Sequence, residues 1–208
     1  MAMERFPVMG KDELDADQRE LWDELTLGPR GFYTGGAEAE RLPDLYNAWL
    51  HFPDFGRLML QLGDHLRHCR ELNGRLRELV ILTSSAEMGA LVEFDFHVPF
   101  AKNEGLPDEV ITDIRAGRTP EFADPIDRTV HDANLQLLRS HVLTAETRQA
   151  IIDAIGYRGL VQFISAVTLY AATAWTTNIA RVKLAEDFDA DPDMLKDFFA
   201  GKPVQPKE

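Results

Sequence analysis

Residues 74–105 carry ionisable side chains inside apolar runs, where a packed helix would normally place apolar groups. Glu78 lies within Leu-Arg-Glu-Leu-Val-Ile-Leu, and Glu93 and His97 lie within Ala-Leu-Val-Glu-Phe-Asp-Phe-His-Val. Side chains four residues apart share one face of a helix, so Glu93 and His97 are neighbours if this segment is helical. The segment therefore predicts two successive helices that bring two carboxylates and one imidazole together.

Every strongly patterned segment has apolar residues at helical spacing, and none shows the period of two that marks a strand. The residue types that start and stop helices punctuate these segments at Asp15, Asn73, Gly89, Gly105, Asp124, Thr144 and Gly156. The pattern predicts an all-α fold with a long helix at 159–186 and a short helical turn at 191–199. Because no linker interrupts it, we expect a single domain over 1–208, with a core at roughly 15–185 and loose tails at 1–10 and 201–208.

The formal net charge of −13 argues against a nucleic-acid partner, because such partners normally require a basic face. A small anionic organic substrate is still compatible with this charge, since one local arginine can oppose the global field. The single cysteine, Cys69, excludes an internal disulfide and a Cys-x-x-Cys pair. Together with the lack of a recognisable signal peptide, it predicts a reducing, cytoplasmic setting.

Residues 160–180 have the length of a membrane span, but their composition is too polar for easy insertion. The polar side chains in this stretch are Gln162, Ser165, Thr168, Thr173, Thr176, Thr177 and Asn178. We therefore expect no membrane partner. A helix that is buried in the protein, or shared between subunits, fits this composition better.

The chain resembles the carboxymuconolactone decarboxylase family, which also contains the alkylhydroperoxidase D enzymes. The central signature is Arg-Leu-Arg-Glu-Leu-Val-Ile-Leu at 75–82, followed by Glu93-x-x-x-His97, Ala101 and Gly105-Leu106. Segments at 45–53, at 122–125 and from Tyr170 to Asn178 extend the likeness to most of the chain. The resemblance implies an alkylhydroperoxidase D-like helical bundle that assembles as a homotrimer or a homohexamer.

The sequence departs from the peroxidase branch of that family, which places a Cys-x-x-Cys pair between the glutamate and the histidine. Ala90 and Glu93 stand at the two corresponding positions, and Cys69 lies outside the motif. Dithiol chemistry needs a thiolate nucleophile, so we do not expect peroxide reduction by that mechanism. The Glu-x-x-x-His form resembles the decarboxylase branch instead.

A carboxylate beside an imidazole forms a proton relay, because it fixes the imidazole tautomer while the imidazole titrates near neutral pH. We assign His97 as the acid/base, Glu93 as its partner or a direct substrate contact, and Glu78 as the orienting group. Such a site suits proton transfer to carbon next to a carbonyl and needs no cofactor. The predicted activity is a carboxy-lyase reaction, the acid/base decarboxylation of a small carboxylated lactone or a similar enolisable acid.

Four alternatives stay open at this point. The same residues would serve an isomerase, a dehydratase or a hydrolase, and a non-catalytic or stress-related relative would keep the fold without turnover. A Glu–His pair on one helix is also typical of an exposed polar face or of a satisfied buried hydrogen bond. A metal bound by Glu78, Glu93, His97 and the distant His51 is the fourth, but no dense His/Cys signature supports it, and we expect no metal.

Four other residues are candidates for substrate binding. Arg30 lies in a glycine-flanked loop, where a guanidinium would clamp a substrate carboxylate through two hydrogen bonds. Trp49 and His51 would line the pocket, and Tyr170 on the long helix would contact the ligand or a neighbouring subunit. The structural alternatives are a surface arginine, a core tryptophan and a buried phenol that has found its hydrogen-bond partner.

Overall fold

The computed structural model of the protein describes residues 6–180. These residues form nine α-helices and no strand: α1 (Ala16–Leu27), α2 (Gly31–Thr34), α3 (Asp44–Leu50), α4 (Pro53–Arg67), α5 (Gly74–Glu87), α6 (Leu91–Asn103), α7 (Asp108–Arg115), α8 (Pro125–Ser140) and α9 (Ala145–Ala180). The predicted all-α fold is thus confirmed for this part of the chain. The turn predicted at 191–199, the tail predicted at 201–208 and the helix predicted beyond residue 180 lie outside the described residues.

The chain divides into two compact units, of which Leu62–Trp175 form one. The described residues of the other unit are 6–61 and 176–180. Helices α5 to α8 lie wholly within Leu62–Trp175, and so do all of the residues that were assigned to the proton relay. The single domain expected from the sequence stays a prediction.

Helix α1 begins with the capping box that the sequence predicts. The backbone N–H of Gln18 donates to Asp15 Oδ1 at 2.9 Å, and the backbone N–H of Asp15 donates to Gln18 Oε1 at 3.0 Å. Two of the donors that every helix start leaves unpaired are satisfied in this way. The Gln18 side chain also donates to the Leu50 carbonyl at 3.1 Å, which fastens α1 to α3.

Part of the predicted loose arm lies against α3. The backbone N–H of Met9 donates to Asn47 Oδ1 at 2.9 Å, and Asn47 Nδ2 donates to the Pro7 carbonyl at 2.9 Å. The Asn47 side chain thereby uses both its acceptor and its donor on the same stretch of backbone. Residues 7–9 are held in place by these two bonds.

Helices α5 and α6 form an antiparallel hairpin. Asn73 caps α5, because its Oδ1 accepts a hydrogen bond from the backbone N–H of Leu76 at 3.1 Å. Gly89 adopts φ of +69° in the short connection, a conformation that costs glycine little. The hairpin places Glu78, near the start of α5, opposite His97 in α6. Gly105, at φ of +86°, follows the end of α6 as the sequence predicts.

Helix α8 runs parallel to α5. Polar side chains join the two helices at successive levels, in the pairs Arg75 with Asp127, Ser84 with Asn134, and Glu87 with Arg139. The partners are 52, 50 and 52 residues apart along the chain, so the contacts advance together along both helices. This nearly constant separation fixes the register of α8 on the helix that carries Glu78.

Helix α9 is interrupted at Gly156, where φ is +72° and ψ is 175°. The sequence predicts a helix end at this glycine, and the region is one that only glycine adopts readily. By length and composition α9 is apolar enough to cross a membrane, and it is the one such helix in residues 6–180. A single helix of this kind is weak evidence for a membrane protein, because the core helices of soluble proteins pass the same test.

The second part of α9 fastens the loop that precedes α5. Gln162 Oε1 accepts a hydrogen bond from the backbone N–H of Leu72 at 3.0 Å, and Gln162 Nε2 donates to Glu71 Oε2 at 2.8 Å. Tyr170 lies eight residues further along α9, about two helical turns and about 80° round the helix axis from Gln162. The side of α9 that carries these two residues thus fixes the start of α5 and contacts the hairpin at His97.

The cap of α5 gives a stability prediction. Replacing Asn73 by Ala removes the bond to the backbone N–H of Leu76, so the free energy of unfolding should fall by about 1 kcal/mol. Chemical denaturation measures this change. Asn103→Ala, at the exposed last residue of α6, is the matched control and should stay within about 0.5 kcal/mol of wild type. Equal losses in the two variants would contradict the capping role of Asn73.

Candidate active site

His97 bridges two carboxylates in the hairpin of α5 and α6. Its Nδ1 lies 2.9 Å from Glu78 Oε2, and its Nε2 lies 3.3 Å from Glu93 Oε1. Glu78 reaches the ring from α5, whereas Glu93 lies one turn before His97 on α6. The structure therefore brings the three residues of the predicted relay together, with one carboxylate on each ring nitrogen.

The three side chains are almost excluded from water, but to different degrees. The exposed fraction is 2% for Glu78, 10% for Glu93 and 12% for His97. Glu78 is therefore the inner end of the relay, and His97 and Glu93 are nearer to solvent. A substrate that approached from the solvent side would meet Glu93 or the Nε2 edge of His97 before Glu78.

Aromatic rings surround the imidazole. The ring centroids of Phe96 and Phe100 lie 5.4 and 5.3 Å from that of His97. The Tyr170 ring stands perpendicular to the imidazole at 5.3 Å. Burial raises the pKa of the Tyr170 phenol, and the charges of Glu78 and Glu93 raise it further, so its hydroxyl stays protonated. Tyr170, one of the predicted substrate-binding residues, therefore lies beside the relay.

His97 is held in its charged form. Burial disfavours the imidazolium, but the charge and hydrogen bond of Glu78, followed by those of Glu93, raise the pKa of His97 from 6.5 to about 9. The sequence-based expectation was titration near neutral pH, and the difference arises because both ring nitrogens face carboxylates. At neutral pH both N–H groups therefore donate, one to each glutamate.

Glu78 is the ionised partner of this imidazolium. Burial disfavours its carboxylate, but His97 and then Arg77 outweigh that effect, so the pKa of Glu78 is lowered. Glu78 and His97 thus form a buried ion pair. A pair of this kind needs hydrogen bonds on its remaining oxygens and nitrogens, because an unpaired charge at this depth would be costly.

Arg77 supplies one of those hydrogen bonds and was absent from the sequence-based assignment. Its Nε lies 3.3 Å from Glu78 Oε1, on the oxygen that His97 does not use. Adjacent residues do not face each other on a helix, so a search by helical spacing passes over such a pair. The juxtaposition of Arg and Glu in the signature at 75–82 was the available signal.

Arg30, Trp49 and His51, the other predicted substrate-binding residues, belong to the first unit. Arg30 is buried directly before α2, so it is not the surface arginine that was its structural alternative. Trp49 is also buried, and its ring packs edge-on against Tyr46 and Phe55 at 5.4 and 6.4 Å.

The His51 ring is exposed. Its Nε2 lies 3.2 Å from the Pro7 carbonyl, and its ring packs against Phe6 at 5.3 Å. These contacts hold the imidazole on the N-terminal stretch at 6–9. The role of Arg30, Trp49 and His51 in substrate binding stays a prediction.

Residues 53–129 match the model of the Carboxymuconolactone decarboxylase family. The predicted resemblance to this family is confirmed. The matched segment contains Glu78, Glu93 and His97, together with Arg77. No curated protein matches the chain significantly.

A solved structure from Ralstonia eutropha JMP134 is similar over 100% of both chains, with a TM-score of 0.69 and 16% sequence identity. It is described as an alkylhydroperoxidase AhpD core, an uncharacterized peroxidase-related protein. At this identity the likeness shows the fold alone. The alkylhydroperoxidase D-like fold expected from the sequence is therefore confirmed.

The surroundings of Cys69, the single cysteine of the sequence, disfavour ionisation of its thiol to the thiolate. Burial raises the pKa of its thiol, and the nearby charge of Glu71 raises it further. The Sγ atom lies 3.7 Å from the His65 carbonyl, as a weak hydrogen-bond donor.

Within residues 6–180, no three His, Cys, Asp or Glu side chains are arranged to hold a metal ion.

The raised pKa of His97 predicts the pH dependence of stability. A histidine whose pKa is higher in the folded protein than in the unfolded chain stabilises the fold fully below pH 6.5 and loses that contribution as pH rises through about 9. The free energy of unfolding of the wild type should therefore decline across this range. Denaturant titrations at several pH values measure it.

His97→Gln should flatten the decline of the unfolding free energy with pH. His68→Gln is the matched control, because His68 is an exposed histidine directly after α4, and it should leave the decline as in wild type. NMR titration of the His97 imidazole gives an independent value of its pKa. An imidazole that titrates near 6.5 in the folded protein would contradict the ion pair with Glu78.

Proposed function

We propose that the protein is a cofactor-independent lyase of the carboxymuconolactone decarboxylase type. It decarboxylates a small carboxylated lactone, or a similar enolisable acid, by acid/base chemistry. The observation that supports this function is the chain of contacts from Glu78 through His97 to Glu93. This chain holds a proton on an imidazole at neutral pH, in a site nearly closed to water.

The proposed reaction needs an acid after carbon dioxide has left. The carbon–carbon bond to the carboxylate breaks, carbon dioxide departs, and the bonding electron pair stays on the substrate as a dienolate. A carbon atom of the dienolate then takes a proton, and the N–H bond at His97 Nε2 breaks to supply it. A proton from solvent returns His97 to the imidazolium and completes the cycle.

Each neighbour of His97 has a part in this proposal. Glu78 fixes the ring through Nδ1, so that Nε2 faces outward. Glu93 touches Nε2 and lies where a substrate would approach, so it either carries the proton onward or aligns the substrate. The Tyr170 ring lies beside the imidazole, and its protonated hydroxyl suits hydrogen bonding to a substrate carboxylate or carbonyl oxygen. Phe96 and Phe100 exclude water, which strengthens these charge interactions.

Peroxide reduction fits these observations less well. The family's dithiol mechanism uses two cysteines, whereas Ala90 and Glu93 stand at those positions here. The raised pKa of Cys69 works against thiolate formation as well. An isomerase, a dehydratase or a hydrolase would use the same proton relay without releasing carbon dioxide, so product analysis separates those reactions from the proposed one.

The proposal predicts carbon dioxide release from a member of a panel of carboxylated lactones, 2-oxo acids and 3-oxo acids. With that substrate, His97→Gln should lower kcat/KM by about 10²–10⁴-fold, which is the usual contribution of a positioned acid or base. His68→Gln is the matched control and should keep wild-type activity. Steady-state kinetics with carbon dioxide detection measures both.

Other results would contradict the proposal in different ways. Turnover of a panel member without carbon dioxide release, still abolished by His97→Gln, would favour the isomerase, dehydratase or hydrolase alternatives. Binding without any turnover, unaffected by His97→Gln, would favour a non-catalytic relative. Turnover of an alkyl hydroperoxide that depends on Cys69 would favour a peroxidase.

We also propose that the chain assembles as a homotrimer or a homohexamer. One face of α9 carries large apolar side chains that are mostly exposed in the single chain, at Tyr157, Val161, Ile164 and Trp175. Their spacing of four, three and eleven residues keeps them within one narrow stripe of the helix. An exposed stripe of this kind is typical of a surface that packs against another protein.

Light scattering coupled to size exclusion should give a mass of three or six times the 23.5 kDa of one chain. Val161→Glu places a charge in the apolar stripe and should lower the measured mass. Gln61→Glu adds the same charge at an exposed position of α4 and should leave the assembly unchanged. A wild-type protein that runs as a monomer at micromolar concentration would contradict the assembly.

A further inference from the structure

Arg77 contacts the Glu78 carboxylate and is itself held by two other residues. Its side chain is buried, and its Nε lies 3.3 Å from Glu78 Oε1. Its Nη1 donates to the Arg67 carbonyl at 3.2 Å, and its Nη2 lies 3.8 Å from Glu104 Oε1. The planar guanidinium is therefore fixed from three directions, by residues of α4, of α5 and of the end of α6.

Two of these contacts fix the guanidinium independently of Glu78. Arg67 is the last residue of α4, where a backbone carbonyl has no partner within its own helix and carries partial negative charge. Glu104 follows α6 and adds a carboxylate on the other side. Arg77 would keep its position and its charge even while the proton on His97 moved.

This arrangement matters because the buried ion pair has a competing state. His97 could pass its Nδ1 proton to Glu78, which would leave a neutral imidazole and a neutral carboxylic acid, and burial favours neutral groups. Arg77 opposes that transfer, because a neutral Glu78 would leave the buried guanidinium with only the carboxylate of Glu104, at 3.8 Å from Nη2. With the Nδ1 side closed in this way, the proton on Nε2 is the one free to move.

We propose that Arg77 is a positioning residue of the relay, which keeps Glu78 an oriented anion so that the mobile proton of His97 leaves through Nε2 toward Glu93. In that step the Nε2–H bond breaks, and either an O–H bond forms at Glu93 Oε1 or a C–H bond forms at the substrate carbon. The imidazolium becomes a neutral imidazole, Glu78 keeps its negative charge, and no electron is gained or lost. The role in turnover rests on the proposed acid/base function.

Charged or titratable residues of α4, α5, α6 and α9 contact Glu78 or its direct partners. The set consists of Arg67, whose backbone carbonyl binds Arg77, then Arg77 itself, Glu93 and His97 from α6, Glu104 after α6, and Tyr170 from α9. Burial disfavours the carboxylate of Glu78, whereas the charges and hydrogen bonds of His97 and Arg77 lower its pKa. Arg77 is thus the cation that remains when His97 gives up its proton.

The test follows the Glu78 carboxyl by ¹³C NMR titration of the full-length protein, labelled at the glutamate carboxyl carbons. Arg77→Gln should move the titration of Glu78 to higher pH than in wild type. Arg75→Gln is the matched control, because Arg75 lies on the same helix but binds Asp124 and Asp127 at 2.6 and 2.8 Å. It should leave the Glu78 titration unchanged, even if it lowers stability.

A merely structural role for Arg77 predicts a different result. Arg77→Gln would then lower the free energy of unfolding by the same amount at every pH and leave the Glu78 titration where it is in wild type, which would overturn the proposal. An equal shift in Arg75→Gln would also overturn it. If Arg77→Gln does not fold, Arg77→Lys provides the test of the proposal. An ammonium cannot contact Glu78 and the Arg67 carbonyl in the same forked geometry.

For Arg77→Lys the proposal predicts a smaller upward shift of the Glu78 titration, and no shift would contradict it. These titrations need no substrate. A lyase assay that failed would therefore overturn the proposed function without deciding the assignment of Arg77. Once a substrate is known, Arg77→Gln should lower kcat more than it raises KM, since Arg77 acts on the relay and does not touch the substrate.

Discussion

The buried ion pair between Glu78 and His97 is the interaction on which this site depends. Two charges taken out of water are costly unless their remaining hydrogen-bonding atoms are satisfied. Arg77 contacts the second oxygen of Glu78, and Glu93 contacts the second ring nitrogen of His97. The requirement for these partners explains why one short hairpin places four charged side chains out of contact with most of the solvent.

The packing of the helices holds the ion pair and its partners in position. Polar contacts between α5 and α8 fix the rotation of the helix that carries Glu78, and Gln162 fixes the loop before it. Tyr170, about two helical turns further along α9 than Gln162, packs perpendicular to the imidazole. The chain thus uses long-range contacts to orient a pair of residues that are only 19 positions apart.

The sequence predicted what depends on local rules. Helix starts at Asp15 and Asn73 follow from side chains that accept backbone hydrogen bonds, and the Glu93–His97 contact follows from helical spacing. The parallel register of α8, the protonated state of His97 and the contact of Arg77 were not predicted. Each of these depends on groups brought together by tertiary packing, for which helical periodicity carries no information. Arg30 lies in a loop as predicted, but its burial depends on tertiary packing, for which the loop sequence carries no signal.

Glu93 shows how one position can decide the chemistry of this hairpin. It lies one turn before His97, where the peroxidase branch of the family carries the second cysteine of its pair. A thiol beside an imidazolium loses its proton and becomes a nucleophile. A carboxylate at the same place does the opposite, because it helps to retain the proton and adds to the larger effect of Glu78 in raising the pKa of His97. Under the proposed function, glutamate at this position therefore favours proton delivery, where cysteine would favour thiol redox chemistry.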